Sequence, residues 1–248
     1  LAGFAAALAV LAARAMFGVF MFYDDEGYVL ISYRNFAEGG ALYRDVFSQY
    51  GPFPFVVNWM LHLAGIPLNH ASGRAVTLCL WVVVSLGLAA LAGKAARSAT
   101  AGILTLAGTF TCLFVMTSEP SHPGGLIVTL VAAAAIGGWV LLRRGLTGPW
   151  SALTGAVTAA LLLTKINVGL FAAFATVAWL TLHLGAGSLR RPAIVAVLIG
   201  CVLLPLGLTG AKLAEPWVAT LAWVWGAAAI TVVATVARRL VPNCSAAM

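Results

Sequence analysis

Charged side chains are scarce in this chain. Asp, Glu, Lys and Arg make up 8% of its 248 residues, whereas they make up about a quarter of an ordinary soluble domain. Apolar residues make up 62%, and the mean hydropathy is +1.02. So few charges cannot solvate the surface of a globular protein, which excludes a soluble fold.

Cysteine and nucleotide-binding motifs are also sparse. The 4 cysteines show no CxxC spacing, so they indicate neither a zinc site nor a disulfide framework. We find no phosphate-binding loop, dinucleotide fingerprint or zincin motif in the sequence. The net charge is +7, but the basic residues come as short pairs between apolar runs rather than as one patch. This pattern excludes a nucleic-acid partner and is typical of membrane topology signals.

Long apolar runs are what the sequence has in abundance. Most are about 17 to 23 residues long, which is enough to cross the roughly 30 Å hydrocarbon layer of a bilayer as helix. The sequence therefore predicts an all-α, polytopic transmembrane bundle, with residues 1–248 forming one membrane-embedded domain. Because the first residue, Leu1, lies inside an apolar run, we expect this domain to be incomplete at one or both ends. The nine candidate segments are 1–22, 52–68, 75–93, 100–117, 124–142, 150–164, 167–184, 192–210 and 217–237.

Basic residues predict the orientation of these segments. By the positive-inside rule, all four basic pairs lie on the cytoplasmic side. If residues 1–22 run outward, the acidic stretch from Asp24 is external, and an odd number of crossings must lead from it to Lys94. Two segments intervene, so we interpret residues 52–68 as a helix in the outer interface with Trp59 as its anchor. Eight crossings remain, and residues 23–73 form the first external loop. The alternative is a ninth span with a misplaced basic loop. The basic pairs are Lys94 with Arg97, Arg143 with Arg144, Arg190 with Arg191, and Arg238 with Arg239.

Three adjacent carboxylates, Asp24, Asp25 and Glu26, follow the first apolar segment. They repel one another beside a bilayer unless they meet cations, a metal ion or a proton, which indicates a functional cluster. The alternative is an acidic flank that only helps orientation. Residues 28–38 place apolar side chains on one stripe and end at Gly39-Gly40, which predicts a short helix lying on the membrane surface.

A known family shares this loop. Asp25-Glu26-Gly27-Tyr28, Glu38-Gly39-Gly40, Leu42-Tyr43-Arg44-Asp45 and Gln49-Tyr50-Gly51-Pro52 resemble the first external loop of bacterial GT-C glycosyltransferases. Those polytopic enzymes use polyprenyl-phosphate sugars and include protein mannosyltransferases and the lipid A aminoarabinose transferase. The resemblance implies that Asp25, or its neighbour Glu26, is the catalytic base. It also implies a bacterial plasma-membrane enzyme with its active site outside, in a cavity that we expect to include Asp24, Tyr28 and Tyr50.

A second acidic motif, often Arg-Pro-Asp, is typical of the same family. The corresponding place reads Ser118-Glu119-Pro120-Ser121-His122-Pro123-Gly124. Glu119 and His122 are candidate ligands of a divalent metal ion, the one cofactor that these residues suggest. The equal alternative is a polar turn, since the prolines disfavour a regular helical pair of ligands.

Two basic residues are candidate contacts of the donor phosphate. Lys165 interrupts an apolar stretch, followed by Asn167, a further candidate for the substrate cavity. An ammonium at that depth needs an anion, which the phosphate of a lipid-linked donor would supply, and the resemblance extends to its Thr-Lys pair. The alternative is that Lys165 snorkels to the interface. Arg44 could clamp the same phosphate, although pairing with Asp45 alone is the favoured interpretation.

The resulting prediction is a glycosyltransferase that moves a sugar from a polyprenyl-phosphate donor to an acceptor hydroxyl of unidentified nature, within the lipid bilayer. The alternative from another class is a transporter or lipid flippase, which would also place acids and a lysine at a membrane cavity. A noncatalytic scaffold is the third possibility.

Overall fold

The architecture is helical throughout the part of the chain that the structure describes. The computed structural model describes residues 2–18, 25–114, 120–144, 148–184 and 190–240. Within these ranges every regular element is a helix, so the predicted all-α fold is confirmed. The α-helices are α1 (Ala2–Gly18), α2 (Asp25–Ala37), α3 (Pro52–Leu63), α4 (His70–Ala96), α5 (Ala99–Phe114), α6 (Gly124–Arg144), α7 (Gly148–Thr164), α8 (Ile166–Leu184), α9 (Arg190–Thr209) and α10 (Pro216–Leu240), with a 3₁₀ helix at Gly210–Lys212.

Helix length and composition make the chain an integral membrane protein. Within the described residues, four long helical stretches are apolar enough to cross a membrane, and they coincide with four of the eight predicted crossings: His70–Ala96, Gly124–Leu141, Pro192–Lys212 and Pro216–Thr235. The other four predicted crossings fall on shorter apolar helices: Gly3–Gly18, Ala99–Leu113, Gly148–Thr164 and Ile166–Thr181. The total of eight crossings stays a prediction.

Helix α3 is shorter than the segment 52–68 from which it was predicted. Its 12 residues extend about 18 Å, well below the roughly 30 Å needed to cross a bilayer. Trp59 and Met60 are exposed, whereas Pro54 and Phe55 in its first turn are buried. These features support the predicted interfacial position, which stays a prediction.

The chain divides into two compact units, Leu1–Gly169 and Leu170–Met248. In the first unit, α4 is the central helix and packs against α1, α2, α5 and α6. Its Trp81 is fully buried in a cluster with Met16 of α1 and Phe110 of α5. Helices α4 and α5 approach closely where Gly93 faces Gly102, since neither residue has a Cβ to separate the backbones.

Residues 29–68 contribute a second apolar cluster to this unit. Tyr33 of α2 packs edge-on against Phe55 of α3, with ring centroids 5.0 Å apart. Helix α2 ends as predicted at Gly39, where φ is +101° and Gly40 N donates to Asn35 O at 2.9 Å. It begins three residues earlier than the predicted helix over residues 28–38. The reason is that Asp25 and Glu26 in the first turn are favoured by the positive end of the helix dipole.

The second unit is built from α9, α10 and the part of α8 that follows Gly169. Ala178 of α8, Val197 and Cys201 of α9, and Val233 of α10 form its buried cluster. The ring of Phe171 lies 4.6 Å from that of Trp225, centroid to centroid. Its core is therefore apolar.

Candidate functional site

A cavity in the first unit brings together residues that lie far apart in the sequence. Its volume is about 100 Å³. Helix α2, the segment before α3, α3 itself and the turn before α6 all contribute to its wall. The lining residues are Asp25, Tyr28, Val29, Ser32, Tyr33, Ser48, Gln49, Tyr50, Phe55, His122 and Pro123. Four of the predicted site residues, Asp25, Tyr28, Tyr50 and His122, therefore share one cavity.

Asp25 and Glu26 are neighbours in sequence but face different surroundings. Asp25 is exposed and lines the cavity, and it forms no ion pair with any residue that the structure describes. Glu26 is 2% exposed and belongs to a separate polar cluster centred on Arg74. Successive residues of an α-helix point about 100° apart, which separates the two carboxylates.

The Glu26 carboxylate is held by three side chains. Arg74 Nη2 donates to Oε2 at 2.6 Å, Ser121 Oγ donates to Oε1 at 2.6 Å, and His70 Nδ1 lies 3.1 Å from Oε2. Burial alone would raise the pKa of Glu26, but the hydrogen bonds from Arg74, Ser121 and His70 outweigh it and lower the pKa below its ordinary value. Glu26 is therefore a buried anion in an ion pair, and not a lining residue of the cavity.

Arg74 also ties this cluster to helix α1. Its Nη1 donates to the carbonyl oxygen of Met16 at 2.6 Å, and its side chain is 4% exposed. Arg74 is not among the predicted site residues. A signal for it was present, since three adjacent carboxylates require a cation and Arg74 directly precedes the apolar segment 75–93.

Tyr50 and His122 form a side-chain pair in the cavity wall. Tyr50 Oη lies 2.5 Å from His122 Nε2, and the two rings meet edge to face with centroids 5.1 Å apart. The backbone N–H of Gly124 donates to His122 Nδ1 at 3.2 Å. Nearby, burial raises the pKa of Tyr33, as would ionisation of Tyr50, so Tyr33 stays a neutral phenol. The pair brings a hydroxyl and an imidazole into a cavity that also holds a carboxylate.

Lys165, which joins α7 to α8, lies beside this pair. Gly51 N donates to the carbonyl oxygen of Thr164 at 2.9 Å, which docks the loop before α3 onto the end of α7. A Cβ at residue 51 would collide with the carbonyl oxygen of Leu163, so this approach requires glycine. Lys165 Nζ consequently lies 5.3 Å from the centroid of the Tyr50 ring, in cation–π contact. It forms no ion pair with the described part of the chain.

Other predicted residues lie elsewhere. Arg44 Nη2 donates to Asp45 Oδ2 at 2.8 Å, and this exposed bond raises the pKa of Arg44 and lowers that of Asp45. The favoured pairing is thus observed, and Arg44 does not line the cavity. Asn167 is exposed, and its Oδ1 accepts from Val168 N rather than facing the cavity. Asp24 and Glu119 lie outside the described residues.

The predicted metal site cannot be built from the described ranges alone. Within residues 2–18, 25–114, 120–144, 148–184 and 190–240, no group of three or more His, Cys, Asp and Glu side chains is arranged to hold a metal ion. Both ring nitrogens of His122 have partners, Tyr50 and Gly124. A metal at His122 would have to displace one of them, so the site that includes Glu119 stays a prediction.

Comparisons with known proteins do not assign a function to this chain. No protein-family model, curated protein or solved structure matches this chain. The cavity with its carboxylate, its tyrosine–histidine pair and the adjacent lysine is the basis for the function that follows.

Proposed function

We propose that this chain is a membrane glycosyltransferase that moves a sugar from a polyprenyl-phosphate donor to an acceptor hydroxyl. The observation that carries the proposal is a separated pair of charges. Among the side chains that the structure describes, no cation pairs with Asp25 in the cavity and no carboxylate pairs with Lys165, which lies against the cavity residue Tyr50. A substrate that delivers both a proton and an anion would complement both groups.

In the proposed reaction, Asp25 acts as the general base. Its carboxylate accepts the proton of the acceptor hydroxyl while the acceptor oxygen forms a bond to the anomeric carbon of the sugar. The bond from that carbon to the phosphate oxygen breaks, and the polyprenyl phosphate leaves with the electron pair. Lys165 stabilises the charge that develops on this phosphate.

The Glu26 environment supports the choice of Asp25 between the two candidate bases. Glu26 is buried and already neutralised by Arg74, so taking up a proton would disrupt an existing ion pair. Asp25 has no such partner among the described side chains and reaches the cavity. We further propose that the chain is oriented with this cavity on the outer face of a bacterial plasma membrane. The lipid-linked donor would reach the cavity through the lipid bilayer.

The test is sugar transfer by the Asp25→Asn variant, which keeps the shape of the side chain but removes its basicity. We expect the rate to fall about 100-fold to 10,000-fold, the usual cost of losing a general base. The chain would be reconstituted in lipid vesicles with polyprenyl-phosphate mannose or aminoarabinose, and the release of polyprenyl phosphate would be measured.

Glu38→Gln is the matched control, because Glu38 is an exposed carboxylate just after α2 that does not line the cavity. It should transfer sugar at the wild-type rate. Undiminished transfer by Asp25→Asn would remove the catalytic role of Asp25. Movement of the intact sugar lipid across the vesicle membrane without release of polyprenyl phosphate would instead favour a flippase.

A further inference from the structure

We infer that Tyr50 is the hydroxyl donor to the phosphoryl oxygen of the lipid-linked substrate, and that His122 is the positioning residue that orients it. This inference rests on the proposed function and assigns to it a second phosphate-binding group beside Lys165. Its basis is the geometry of four residues: Tyr50, His122, Gly124 and Lys165.

The direction of the Tyr50–His122 hydrogen bond follows from the other ring nitrogen. Because Gly124 N–H donates to His122 Nδ1, that nitrogen carries a lone pair and the proton of the neutral ring is on Nε2. Nε2–H therefore donates to the Tyr50 oxygen. His122 is then the donor in this bond, and the phenol proton of Tyr50 takes no part in it.

His122 also strengthens Tyr50 as a donor. A hydroxyl whose oxygen accepts a hydrogen bond is polarised, so its O–H bond becomes a better donor in turn. The ammonium group of Lys165 over the face of the same ring adds positive potential at this wall of the cavity. An anion is the ligand that an ammonium and a polarised hydroxyl would bind together.

The backbone around Tyr50 is fixed from several directions. Ser48 Oγ accepts from Tyr50 N at 3.0 Å, and Tyr43 Oη donates to the Tyr50 carbonyl oxygen at 3.0 Å. The next residue, Gly51, is bonded to Thr164 at the end of α7. Tyr50 is itself buried at 6% exposure, so its hydroxyl position is set before any substrate arrives.

The experiment measures binding of polyprenyl phosphate to the reconstituted chain, with the uncharged polyprenol as the reference. Tyr50→Phe retains the ring for packing and for Lys165 but removes the hydroxyl. We expect it to weaken polyprenyl phosphate binding about 10-fold to 100-fold, the range for a hydrogen bond to a charged group, and to leave polyprenol binding unchanged. Equal affinity of wild type and Tyr50→Phe for polyprenyl phosphate would overturn the inference.

A double-mutant cycle separates the positioning role of His122 from a general structural one. His122→Leu should weaken polyprenyl phosphate binding in the wild type but cause no further loss in the Tyr50→Phe background, because it acts through the missing hydroxyl. His122→Gln, whose amide can donate to Tyr50, should recover most of the affinity. Additive losses in the two backgrounds would show that His122 acts elsewhere and overturn its positioning role.

Further measurements distinguish a lipid-linked phosphate from free phosphate as the ligand. They also separate failure of the role of Tyr50 from failure of the proposed function. Binding of inorganic phosphate that Tyr50→Phe abolishes would support the same subsite with free phosphate as its ligand. If wild type transfers sugar and Tyr50→Phe binds the donor equally well, only the role of Tyr50 fails. If wild type neither binds polyprenyl phosphate nor releases it from a sugar donor, the proposed function fails with it.

Discussion

The two units of the chain treat polar groups in opposite ways. Leu1–Gly169 buries an ion pair, Glu26 with Arg74, and arranges Ser121 and His70 around it. In Leu170–Met248 no ion pair occurs among the residues that the structure describes, and the buried cluster is apolar. Burying charge costs several kcal/mol of desolvation for each ion, so it is retained where it fixes a geometry. The difference supports the proposal that places the reaction in the first unit.

The cavities of the two units also differ in the polarity of their lining residues. The second unit holds a groove of about 420 Å³ whose wall is formed by aromatic and small apolar side chains, including Phe174, Trp179 and Ala229. The cavity beside Asp25 is about 100 Å³ but contains a carboxylate, an imidazole and several hydroxyl groups. Volume alone would select the apolar groove, whereas the proposed reaction requires groups that hold protons or charge.

The largest expected effect on stability comes from breaking the buried ion pair. Arg74→Met leaves Glu26 buried without its cation, which we expect to cost about 3–5 kcal/mol of unfolding free energy. Lys212→Met in the second unit should change little, because Lys212 is exposed. Unfolding in detergent micelles measures both variants.

A double variant sharpens this test. Arg74→Met with Glu26→Leu removes both charges, so it should recover much of the stability that Arg74→Met loses. Equal melting temperatures for wild type and Arg74→Met would contradict the structural role of the pair and weaken the contrast between the units.

Substitutions at two glycines, Gly51 and Gly207, should change the free energy of unfolding by intermediate amounts and in opposite directions. Gly51→Ala introduces a Cβ against the carbonyl of Leu163, which we expect to cost on the order of 1–3 kcal/mol and to move Tyr50 away from Lys165. Gly207→Ala in α9 meets no atom within 4 Å. It should stabilise the second unit by about 0.5–1 kcal/mol, since alanine favours a helix interior. Thermal unfolding would measure both variants, and the same sign of change for both would refute this comparison.

Acid should produce the smallest effect, and only in the first unit. The pKa of Glu26 is lower in the folded chain than its ordinary value, so the ionised pair contributes its full stability above the unfolded pKa. This contribution is lost as the pH falls through the lower, folded pKa. The effect is small because burial opposes the hydrogen bonds.

Hydrogen exchange measured by mass spectrometry can locate this acid effect. Peptides covering α2 and the start of α4 should lose protection as the pH falls, whereas peptides from α9 and α10 should not. The Glu26→Gln variant should show a flatter pH dependence in the α2 peptides. Uniform loss of protection in both units would argue against Glu26 as the titrating group.

Elements set by local patterns were predicted closely. The apolar run 124–142 became α6, Gly124–Arg144, because length and hydropathy are read from consecutive residues. The stop of α2 at Gly39 followed from the glycine pair, since φ is positive there. The start of α4 at His70, five residues before the predicted segment, was missed. Asn69 caps that helix by accepting from Ser72 N at 3.0 Å, a polar signal that an apolar run does not contain.

The sequence by itself determined that this chain is an all-helical membrane protein and that carboxylates cluster at the start of its first loop. It could not determine which carboxylate reaches the cavity. Only the tertiary structure decided that, by bringing Arg74 to Glu26 across 48 residues and His122 to Tyr50 across 72. The physical reason is range: hydropathy and helix termini depend on neighbouring residues, whereas the partner of a buried charge or hydroxyl depends on how distant helices pack.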